Sequence, residues 1–579
     1  MNDEAFDQLL LGIAEKAILE DPQRAEPPPA PNKRKVRHLI RGKVQMGGQT
    51  VTIGIGLTDS FPLDLPILFL ESWNALGFIP HIENDGYICY VPSEGLALDS
   101  KRPLKILKEA VDHAKMILEK GFLVRNHNEF IDEFESYWAN IETKERNDRM
   151  KSFLRLGPNV KRISIGTRND GYNFFCDHEG NDVRECFNGY SPEKTTLQNA
   201  IYIPFKSPLQ LFPPAFDQMW SLPKIRSIVL ENLDSAEQKR LAKLLRKHRN
   251  NEYVLLHFKT QKGTEQLFGI EFRGVERAHP LLTEGSCREI IPIALDRMDK
   301  QYLLPRAGGD NLLSDKKVVL IGCGAVGGHI AMELARCGVG HMTLVDHDDL
   351  SPDNIYRHVL GWQDAEKEEK KKVKLLKHEI ESKVPYIKVT AVGEKIEGLL
   401  EKKELDLRDY DLVVVAIGSP QVELQINEVL CGSNDMPAAL FAWLEPYGIG
   451  GHASVSHNAG KSGCLQCLFP ETEELHNRSS FAKKDQSFSK NLTGCSNRFM
   501  PFASIHAVRT ATLATELAVN ILTGKEVDNP RLSWKGDATE FLAQKFKLTH
   551  RHAMTEGDLY DGRYDYKRAD CSVCNKQHE

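Results

Sequence analysis

The segment KVVLIGCGAVGG, from Lys317 to Gly328, constrains the fold of this chain more than any other part of the sequence. An apolar strand comes first, then Gly322, Gly324 and Gly327, and then the helical stretch HIAMELARCGV. This order predicts a loop that holds phosphate groups at a helix N-terminus. The next strand leads to Asp346, where a carboxylate can accept hydrogen bonds from ribose hydroxyls. The segment therefore predicts a nucleotide site; the alternative is a glycine turn that only lets the helix pack against the strand.

Changes in the spacing of apolar residues divide the rest of the chain into segments. In the last half, apolar strands alternate with helical stretches, which predicts an α/β domain with a mostly parallel, Rossmann-like sheet. Before it come strands followed by the helix PLKILKEAVDHAKMILEKG, which predict an α+β unit, and then a mixed region without a motif. The expected divisions are 1–35 (a short helix and a proline-rich, extended connector), 36–150 (α+β), 151–300 (mixed α/β) and 301–579 (α/β).

Composition excludes several classes of protein. The chain has 579 residues, 41% of them apolar and 27% charged, which indicates several water-soluble domains. Lys and Arg number 75 against 81 Asp and Glu, so the net charge of −6 gives no reason to expect direct nucleic-acid binding. We expect a cytoplasmic protein without membrane association, because there is no long apolar stretch and the start MNDEAFDQLL is too acidic for a signal peptide.

Several charged and polar residues follow the glycine loop at short intervals: Asp348, Asn354, Arg357 and Lys372. A dehydrogenase has no need of them. An enzyme that attacks the α-phosphate of ATP needs cations around the triphosphate, and Arg357 and Lys372 are candidates. For Lys372 the alternative is a solvated charged face, because it lies in the run KEEKKKVK.

The spacing DHDDLSPDNIYR, followed by KVKLLKHEIESKVP, resembles the ubiquitin-activating superfamily, including ThiF-type adenylyltransferases of sulfur-carrier proteins. The resemblance implies that ATP and Mg²⁺ are used, that Asp346 holds the ribose, and that Asn354, Arg357 and Lys372 contact the phosphates. Where such proteins have a magnesium-binding aspartate after the strand DLVVVA, this chain has Ile417-Gly418-Ser419. The magnesium ligand stays open, with Asp348 and Asp411 as candidates.

Two CxxC pairs predict a metal site. Cys464 and Cys467 form one pair, and Cys571 and Cys574 the other. Four thiolates at these spacings make a closed, tetrahedral, structural zinc site that fastens the C-terminal tail to its domain. A redox dithiol or unligated thiols are the alternatives. The segment CLQCLFPE also resembles the adenylyltransferases.

A further cysteine, Cys495, lies in the polar stretch NLTGCSNRFMPF. A polar loop is a place where a thiol can move between reactants, whereas most free cysteines are small core residues. In the resembled family this crossover loop, here about residues 471–500, carries the cysteine that accepts the activated acyl group. We therefore predict Cys495 as a nucleophile.

Cys89 belongs to a second resemblance. The segment FPLDLPILFLESWNALGFIPHIENDGYICYVPSEG is similar to ubiquitin-conjugating enzymes, in which the cysteine carries an acyl group as a thioester. Ile79-Pro80-His81 stands where those enzymes have His-Pro-Asn, so His81 takes the place of the asparagine that stabilises the oxyanion. The alternatives are a core thiol at Cys89 and a structural loop residue at His81.

An activating-type and a conjugating-type domain in one chain predict a ligase relay. ATP adenylates the C-terminal carboxylate of a protein; Cys495 and then Cys89 carry it as a thioester; an amine, expected to be lysine, receives it. Such fused chains resemble bacterial proteins of cyclic-oligonucleotide-based anti-phage signalling systems (CBASS), which implies a cGAS/DncV-like nucleotidyltransferase as the modifier and a homodimer. Three alternatives stay open: a sulfur-carrier adenylyltransferase, a docking module without catalysis at Cys89, and a dehydrogenase.

Overall fold

The computed structural model describes residues 3–27, 34–91, 96–142, 149–168, 173–186, 195–457, 462–469, 477–491 and 498–575. The chain forms two compact units, Met1–Asn181 with Pro192–Arg297, and Asp182–Ser191 with Met298–Glu579. The second unit takes over close to the expected division at residue 301. The two expected domains 36–150 and 151–300 lie together in the first unit, except for Asp182–Ser191 and residues 298–300, which belong to the second. No helix in the described ranges is long and apolar enough to cross a membrane.

The first unit begins with an antiparallel N-terminal sheet in the order β1-β2-β3-β4. The alternation of HLIRGKVQM places Ile40, Val44 and Met46 on one buried face, as expected for a strand with one face on a core. The elements are α1 (Asp3–Glu15), β1 (Glu20–Ala25), β2 (His38–Met46), β3 (Gln49–Leu57), β4 (Ile67–Leu70), α2 (Pro103–Phe122), α3 (Glu129–Asp132) and α4 (Phe134–Ala139).

The expected extended connector differs from the structure at its start. Glu20–Ala25 is an edge strand that pairs with β2, with Arg24 opposite Ile40. Helix α1 also buries Phe6 and Ile13 in the same core as the sheet. The packed domain therefore starts well before residue 36, because the partner that makes this polar segment a strand is distant in sequence and leaves no local pattern.

The middle of the chain forms a mixed sheet, here called the middle sheet, in the order β11-β10-β9-β8-β6-β7-β5-β12. The pairings β8–β9, β5–β7 and β5–β12 are parallel and the others antiparallel. Its elements are β5 (Met150–Ser152), β6 (Lys161–Arg168), β7 (Asn173–Asp177), α5 (Asn181–Cys186), β8 (Thr195–Pro204), α6 (Leu222–Glu231), α7 (Ser235–Leu244), β9 (Asn251–Lys259), β10 (Glu265–Arg273), β11 (Glu289–Ile293) and β12 (Leu295–Arg297).

The second unit is built on the predicted α/β sheet, in the order β15-β14-β13-β16-β17-β18-β21. Pairings from β15 to β17 are parallel, and β18 and β21 add antiparallel strands, which confirms a mostly parallel sheet. Its elements are α8 (Lys300–Arg306), β13 (Lys317–Ile321), α9 (Ala325–Cys337), β14 (His341–Val345), α10 (Trp362–Ala365), α11 (Lys372–Lys383), β15 (Lys388–Val392), α12 (Ile396–Glu401), β16 (Leu412–Val415), α13 (Pro420–Cys431), β17 (Ala438–Leu444), β18 (Gly450–Ser456), β19 (Lys490–Asn491), β20 (Arg498–Phe499), α14 (Ser504–Leu522), β21 (Arg531–Lys535), α15 (Thr539–Ala543), α16 (His550–Ala553) and α17 (Glu556–Asp561).

Strand β13 lies at the centre of this sheet and is buried on both faces. Val318 and Leu320 pack into one core with α9 and α14, whereas Val319 and Ile321 pack into a second core with α13. A fully apolar strand is expected where helices cover both faces. The strand order reverses between β13 and β16, and in such sheets a ligand binds outside the carboxyl ends of the strands at that point.

Candidate functional site

The glycine loop joins β13 to α9 at the point where the strand order reverses. Gly322 has φ of +91°, and a β-carbon there would lie 2.6 Å from the carbonyl oxygen of Ala416. A β-carbon at Gly327 would lie 1.8 Å from the carbonyl oxygen of Gly322, whereas one at Gly324 would meet no atom within 4 Å. Two glycines are thus needed for packing, and Gly324 leaves open space at the N-terminus of α9, as a phosphate group requires.

A cavity of about 310 Å³ lies beside this loop. Five of the predicted residues are on its wall: Gly322, Gly324, Asp346, Asp348 and Lys372. The wall also includes Glu394, Lys395, Glu397 and Ser419, which sequence reasoning missed. Their positions after β15 and β16 could have indicated them from the sequence, because the carboxyl ends of parallel strands meet at one edge of a sheet.

Asp346 ties the loops of the cavity together. One carboxylate oxygen accepts a hydrogen bond from the backbone N–H of Cys323 at 2.7 Å, and the other accepts one from the N–H of Asp348 at 2.8 Å. The carboxylate is thus fixed at the position predicted for ribose contacts. Asp346, His347 and Asp348 also bring potential metal-binding atoms within 4.8 Å of one another.

Lys372 is directed into the cavity rather than into solvent. Its side chain is buried at the first position of α11, and Nζ lies 2.9 Å from Oδ2 of Asp348. Partial burial acts to raise the pKa of Asp348, but the hydrogen bond and charge of Lys372 outweigh it and lower that pKa. The interpretation of Lys372 as part of a solvated face is therefore wrong.

His358 is a functional candidate that sequence reasoning missed. It is buried, and its Nε2 lies 2.7 Å from the carbonyl oxygen of Cys323 in the glycine loop, while Nδ1 accepts a hydrogen bond from the N–H of Leu360. This pattern requires the hydrogen on Nε2. Burial lowers the pKa of His358 to about 4, so the ring is neutral at pH 7 and holds the loop without adding charge.

Asn354 and Arg357 lie in the segment after the cavity but are not among the described residues on its wall. Asn354 ends a short 3-10 turn, and the guanidinium of Arg357 lies 5.1 Å from the centre of the Phe502 ring. Gly327 is buried below the loop. The roles predicted for Asn354 and Arg357 at the phosphates stay predictions.

The structure corrects the prediction for Asp411. Its carboxylate accepts hydrogen bonds from Nζ of Lys316 at 3.0 Å and from the N–H of Lys317 at 2.8 Å. These residues begin β13, whereas the glycine loop follows the end of that strand. Asp411 therefore lies at the opposite end of the sheet and is not a magnesium ligand for this cavity.

The two CxxC pairs meet in the second unit. Sγ of Cys464 lies 3.8 Å from Sγ of Cys571, and Sγ of Cys467 lies 3.4 Å from Sγ of Cys574, with all four within 4.8 Å of one another. These separations are too long for disulfides and close to the roughly 3.8 Å between sulfurs bound about 2.3 Å from one zinc ion. Asn427, fully buried, donates a hydrogen bond to Sγ of Cys464 at 3.7 Å.

Cys89 is exposed, which contradicts the alternative of a core thiol. Its backbone N–H donates to the carbonyl oxygen of His81 at 2.9 Å, and an isolated bridge pairs Ile82 with Ile88. The chain therefore turns back between the two residues and brings the imidazole to the thiol.

The charge on His81 is set by its neighbours. The hydrogen bond with Cys89 raises its pKa most, burial lowers it, and Glu129 and Glu133 raise it further, to about 9. The ring is therefore an imidazolium at neutral pH, a hydrogen-bond donor at both nitrogens. Glu129 and Glu133 carried no sequence signal, because they lie far along the chain from His81.

Cys495 lies outside the described residues, so its predicted role as nucleophile stays a prediction. The short strands β19 and β20, on either side of it in the sequence, pair with each other, with Lys490 opposite Phe499.

Comparisons with known proteins agree with both parts of this description. Residues 298–556 match the ThiF family, and residues 17–146 match Prokaryotic E2 family B. The chain carries a ThiF domain and a prokaryotic E2 domain. The second match begins before β2, in agreement with the place of β1 in the N-terminal sheet.

Three curated proteins illustrate what the chain is similar to. The chain is 22% identical over 572 residues to the ATP-dependent ubiquitin transferase-like protein Cap2 of Escherichia coli (strain TW11681), covering 90% of this chain and 89% of that protein. It is 28% identical over 245 residues to the protein of that name from Pseudomonas aeruginosa, covering 41% of this chain but only 42% of that relative's length. A sulfur carrier protein adenylyltransferase of Thermus thermophilus is 29% identical over 183 residues, with 31% of this chain and 65% of that protein covered.

Among solved structures, the chain matches E. coli MccB with ATP at 19% identity and a TM-score of 0.32. The match covers 46% of this chain and 69% of that one.

Proposed function

We propose that this chain is an ATP-dependent ligase that activates the C-terminal carboxylate of a protein and passes it, through two thioesters, to an amine. One observation carries the proposal: the chain combines a cavity at the glycine loop with an exposed thiol, Cys89, whose backbone N–H is hydrogen-bonded to the carbonyl oxygen of His81. The first can supply an activated carboxylate and the second can carry it. Its similarity to the Cap2 proteins supports this assignment.

The first step is adenylation at the glycine loop. A carboxylate oxygen of the modifier attacks the α-phosphorus of ATP, an O–P bond forms, and pyrophosphate leaves. The open N-terminus of α9 at Gly324 and the ammonium group of Lys372 both favour the negative charge that builds up on the phosphates. Asp346 holds the ribose in this proposal, with its carboxylate fixed by two backbone hydrogen bonds.

The next steps move the acyl group between sulfurs. The thiolate of Cys495 attacks the carbonyl carbon, a C–S bond forms, and AMP leaves; the thiolate of Cys89 then replaces that of Cys495. Each thioester keeps the activation of the acyl group. Its exposure makes Cys89 accessible both to a loaded thiol and to an incoming amine.

The last step forms the isopeptide bond. A lysine nitrogen attacks the carbonyl carbon on Cys89, the C–N bond forms, the C–S bond breaks, the sulfur leaves as thiolate, and the amine proton passes to solvent water. The imidazolium of His81 is a donor beside the thioester oxygen, which becomes negative during the attack.

Both metals fit the residues present. Asp346 already accepts two backbone hydrogen bonds, and Lys372 holds only one oxygen of Asp348, so the other oxygen of Asp348 is the candidate ligand for a magnesium ion. A bound magnesium ion would neutralise phosphate charge. Four clustered thiols with an asparagine N–H on one sulfur fit a structural zinc ion.

The modifier and the setting follow from the resemblance. The proposed modifier is the C-terminus of a cGAS/DncV-like nucleotidyltransferase in the cytoplasm, the acceptor is a lysine on an unidentified target, and the active form is a homodimer. Conjugation would then prime anti-phage signalling.

The test is incubation with ATP and the candidate nucleotidyltransferase, followed by non-reducing electrophoresis. Wild type should form thiol-sensitive adducts. Cys89→Ala should retain the adduct on Cys495 and form no isopeptide, and Cys495→Ala should form neither. Cys287→Ala, a partly buried thiol of the first unit, is the matched control. If mass spectrometry of the working enzyme finds no acyl group on either sulfur, the relay is wrong.

A second candidate is conversion of the adenylated tail to a thiocarboxylate, as in sulfur-carrier activation. The similarity of the ThiF domain to the Thermus thermophilus sulfur carrier protein adenylyltransferase favours it. The same variants separate the two functions, because sulfur transfer should survive Cys89→Ala.

A further inference from the structure

The helical segment α3–α4, which lies near the end of the E2 domain, is fixed to the middle sheet on one side. The indole N–H of Trp138 donates to the carbonyl oxygen of Gly269 in β10 at 3.0 Å. A carboxylate oxygen of Glu135 accepts the backbone N–H of Leu267 at 2.6 Å, and Phe134 is fully buried in the core beneath the sheet. These contacts fix the direction in which the rest of the segment points.

The other side of the segment faces the Cys89 loop. Oε2 of Glu129 lies 2.6 Å from Nε2 of His81, and Oε1 of Glu133 lies 3.9 Å from Nδ1. The hydroxyl of Tyr137 accepts the backbone N–H of His81 at 2.7 Å and donates to Glu133 at 3.4 Å. Both the ring and the backbone of His81 are therefore held by one short segment.

His81 needs this support. Its φ is +65°, in the left-handed region that non-glycine residues seldom adopt, although histidine does so more often than most. Its carbonyl oxygen accepts the N–H of Cys89 at 2.9 Å, so any shift of this residue also moves the thiol. Holding an active-site loop from packed elements with fixed rotamers is what places a catalytic group accurately.

We propose that Glu129 is a positioning residue of the Cys89 site, which orients the His81 ring and keeps it protonated while an amine attacks the thioester, with Glu133 and Tyr137 in support. The middle sheet then anchors the segment α3–α4 that holds His81. No sequence motif had predicted a function for this sheet. The inference rests on the proposed function of Cys89 as an acyl carrier.

The electrostatics agree with this geometry. Cys89, Glu129 and Glu133 all act to raise the pKa of His81, which reaches about 9 against the opposing effect of burial. Once Cys89 is a thioester, the two carboxylates remain as the groups that favour the protonated ring. Removing the charge of Glu129 should therefore lower the pKa of His81.

The experiment compares Glu129→Gln with wild type in the full chain. The pKa of the His81 ring is measured by NMR of histidine-labelled protein without ATP or modifier. In the variant this pKa should be lower by about one unit or more, since an opposite charge in contact shifts a pKa by about 1–3 units. Glu133→Gln should move it in the same direction by less, because its oxygen lies 3.9 Å away. Asp132→Asn, which removes a carboxylate of the same segment that pairs with Lys262, should leave it unchanged.

The second readout is the discharge of the Cys89 thioester to lysine in a single turnover, measured against pH. The variant should discharge at close to the wild-type rate at pH 6 and about twofold to tenfold more slowly at pH 8, where a ring whose pKa has fallen by about one to two units has lost half or more of its protons. An equal loss at every pH, or an unmoved His81 titration, would overturn the positioning role. The titration involves no acyl group, so a thioester that never forms on Cys89 defeats the relay while leaving the titration result intact.

Discussion

The ammonium group of Lys372 lies 2.9 Å from a carboxylate oxygen of Asp348, and the lysine is 7% exposed although it belongs to a run of charged residues. Its neighbour Lys371 pairs with Asp349 at 3.0 Å and is about a third exposed. Helix α11 starts between them, so that two adjacent lysines leave the chain in different directions. The pair places one cation and one anion on the wall of the cavity at the glycine loop, where the proposed function requires the charges of phosphates and a metal ion to be balanced.

Replacing Lys372 with Ala should slow adenylation. Loss of one preorganised charge that stabilises the transition state lowers such rates by about 10² to 10³. The measurement is ATP–pyrophosphate exchange in the presence of the modifier.

The matched control is Lys374→Ala, because this lysine is exposed and pairs with Glu369 on the surface. It should exchange pyrophosphate at close to the wild-type rate. Equal activity of the two variants would remove Lys372 from the phosphate site.

Asp348 and Asp411 give a test of the magnesium assignment. Asp348→Asn should raise the Mg²⁺ concentration needed for half-maximal pyrophosphate exchange by about tenfold or more, as loss of one carboxylate near a metal commonly does. Asp411→Asn should leave that concentration unchanged, because Asp411 binds Lys316 and Lys317 at the other end of the sheet. The reverse result would place the metal away from Asp348.

Features that are local in sequence could be predicted and those made by distant residues could not. The glycine loop and the two CxxC pairs depend on residues a few positions apart, and the structure brings each set together as expected. The sequence of strand β1 indicates a connector because its hydrogen-bond partners, at Leu39 to Lys43, are supplied by β2. Polar composition alone describes an edge strand and a linker equally well.

The same limit applies to the site. His358 is 35 residues from the Cys323 carbonyl that it holds, and Glu129 is 48 residues from His81. Neither belongs to a motif, and each acts by fixing a backbone or a ring rather than by touching substrate. Asp411 was a reasonable metal candidate by spacing, but a strand has two ends, and only the fold shows which end carries the cavity.

The four-cysteine cluster should bind one zinc ion per chain. Cys571→Ser should lose the metal and lower the unfolding temperature of the second unit, because the metal ties Cys571 and Cys574 to Cys464 and Cys467 and its binding free energy is part of the stability of the fold. Elemental analysis and calorimetry measure the two effects.

Cys431 supplies the control, since its sulfur lies close to the cluster and contacts Asn427 at 3.9 Å but is not among the four clustered thiols. Cys431→Ser should keep its zinc. Zinc lost from that variant, or an active protein without zinc in any form, would contradict the assignment of the ligands.

Protonation of His358 at acidic pH should lower the free energy of unfolding of the second unit. Burial lowers its pKa from 6.5 to about 4, so the folded state binds the proton less well than the unfolded state. The stability that the neutral ring contributes is fully present above pH 6.5 and is lost as the pH falls from there to about 4; the shift corresponds to about 3 kcal/mol. His358→Gln, which can still donate to Cys323, should reduce the loss of denaturant midpoint between pH 7 and pH 5. The other buried histidines titrate in both proteins, so the difference between the wild-type and variant pH profiles of the denaturant midpoint isolates His358. Parallel profiles would show that the ring is already charged or not confined in the fold.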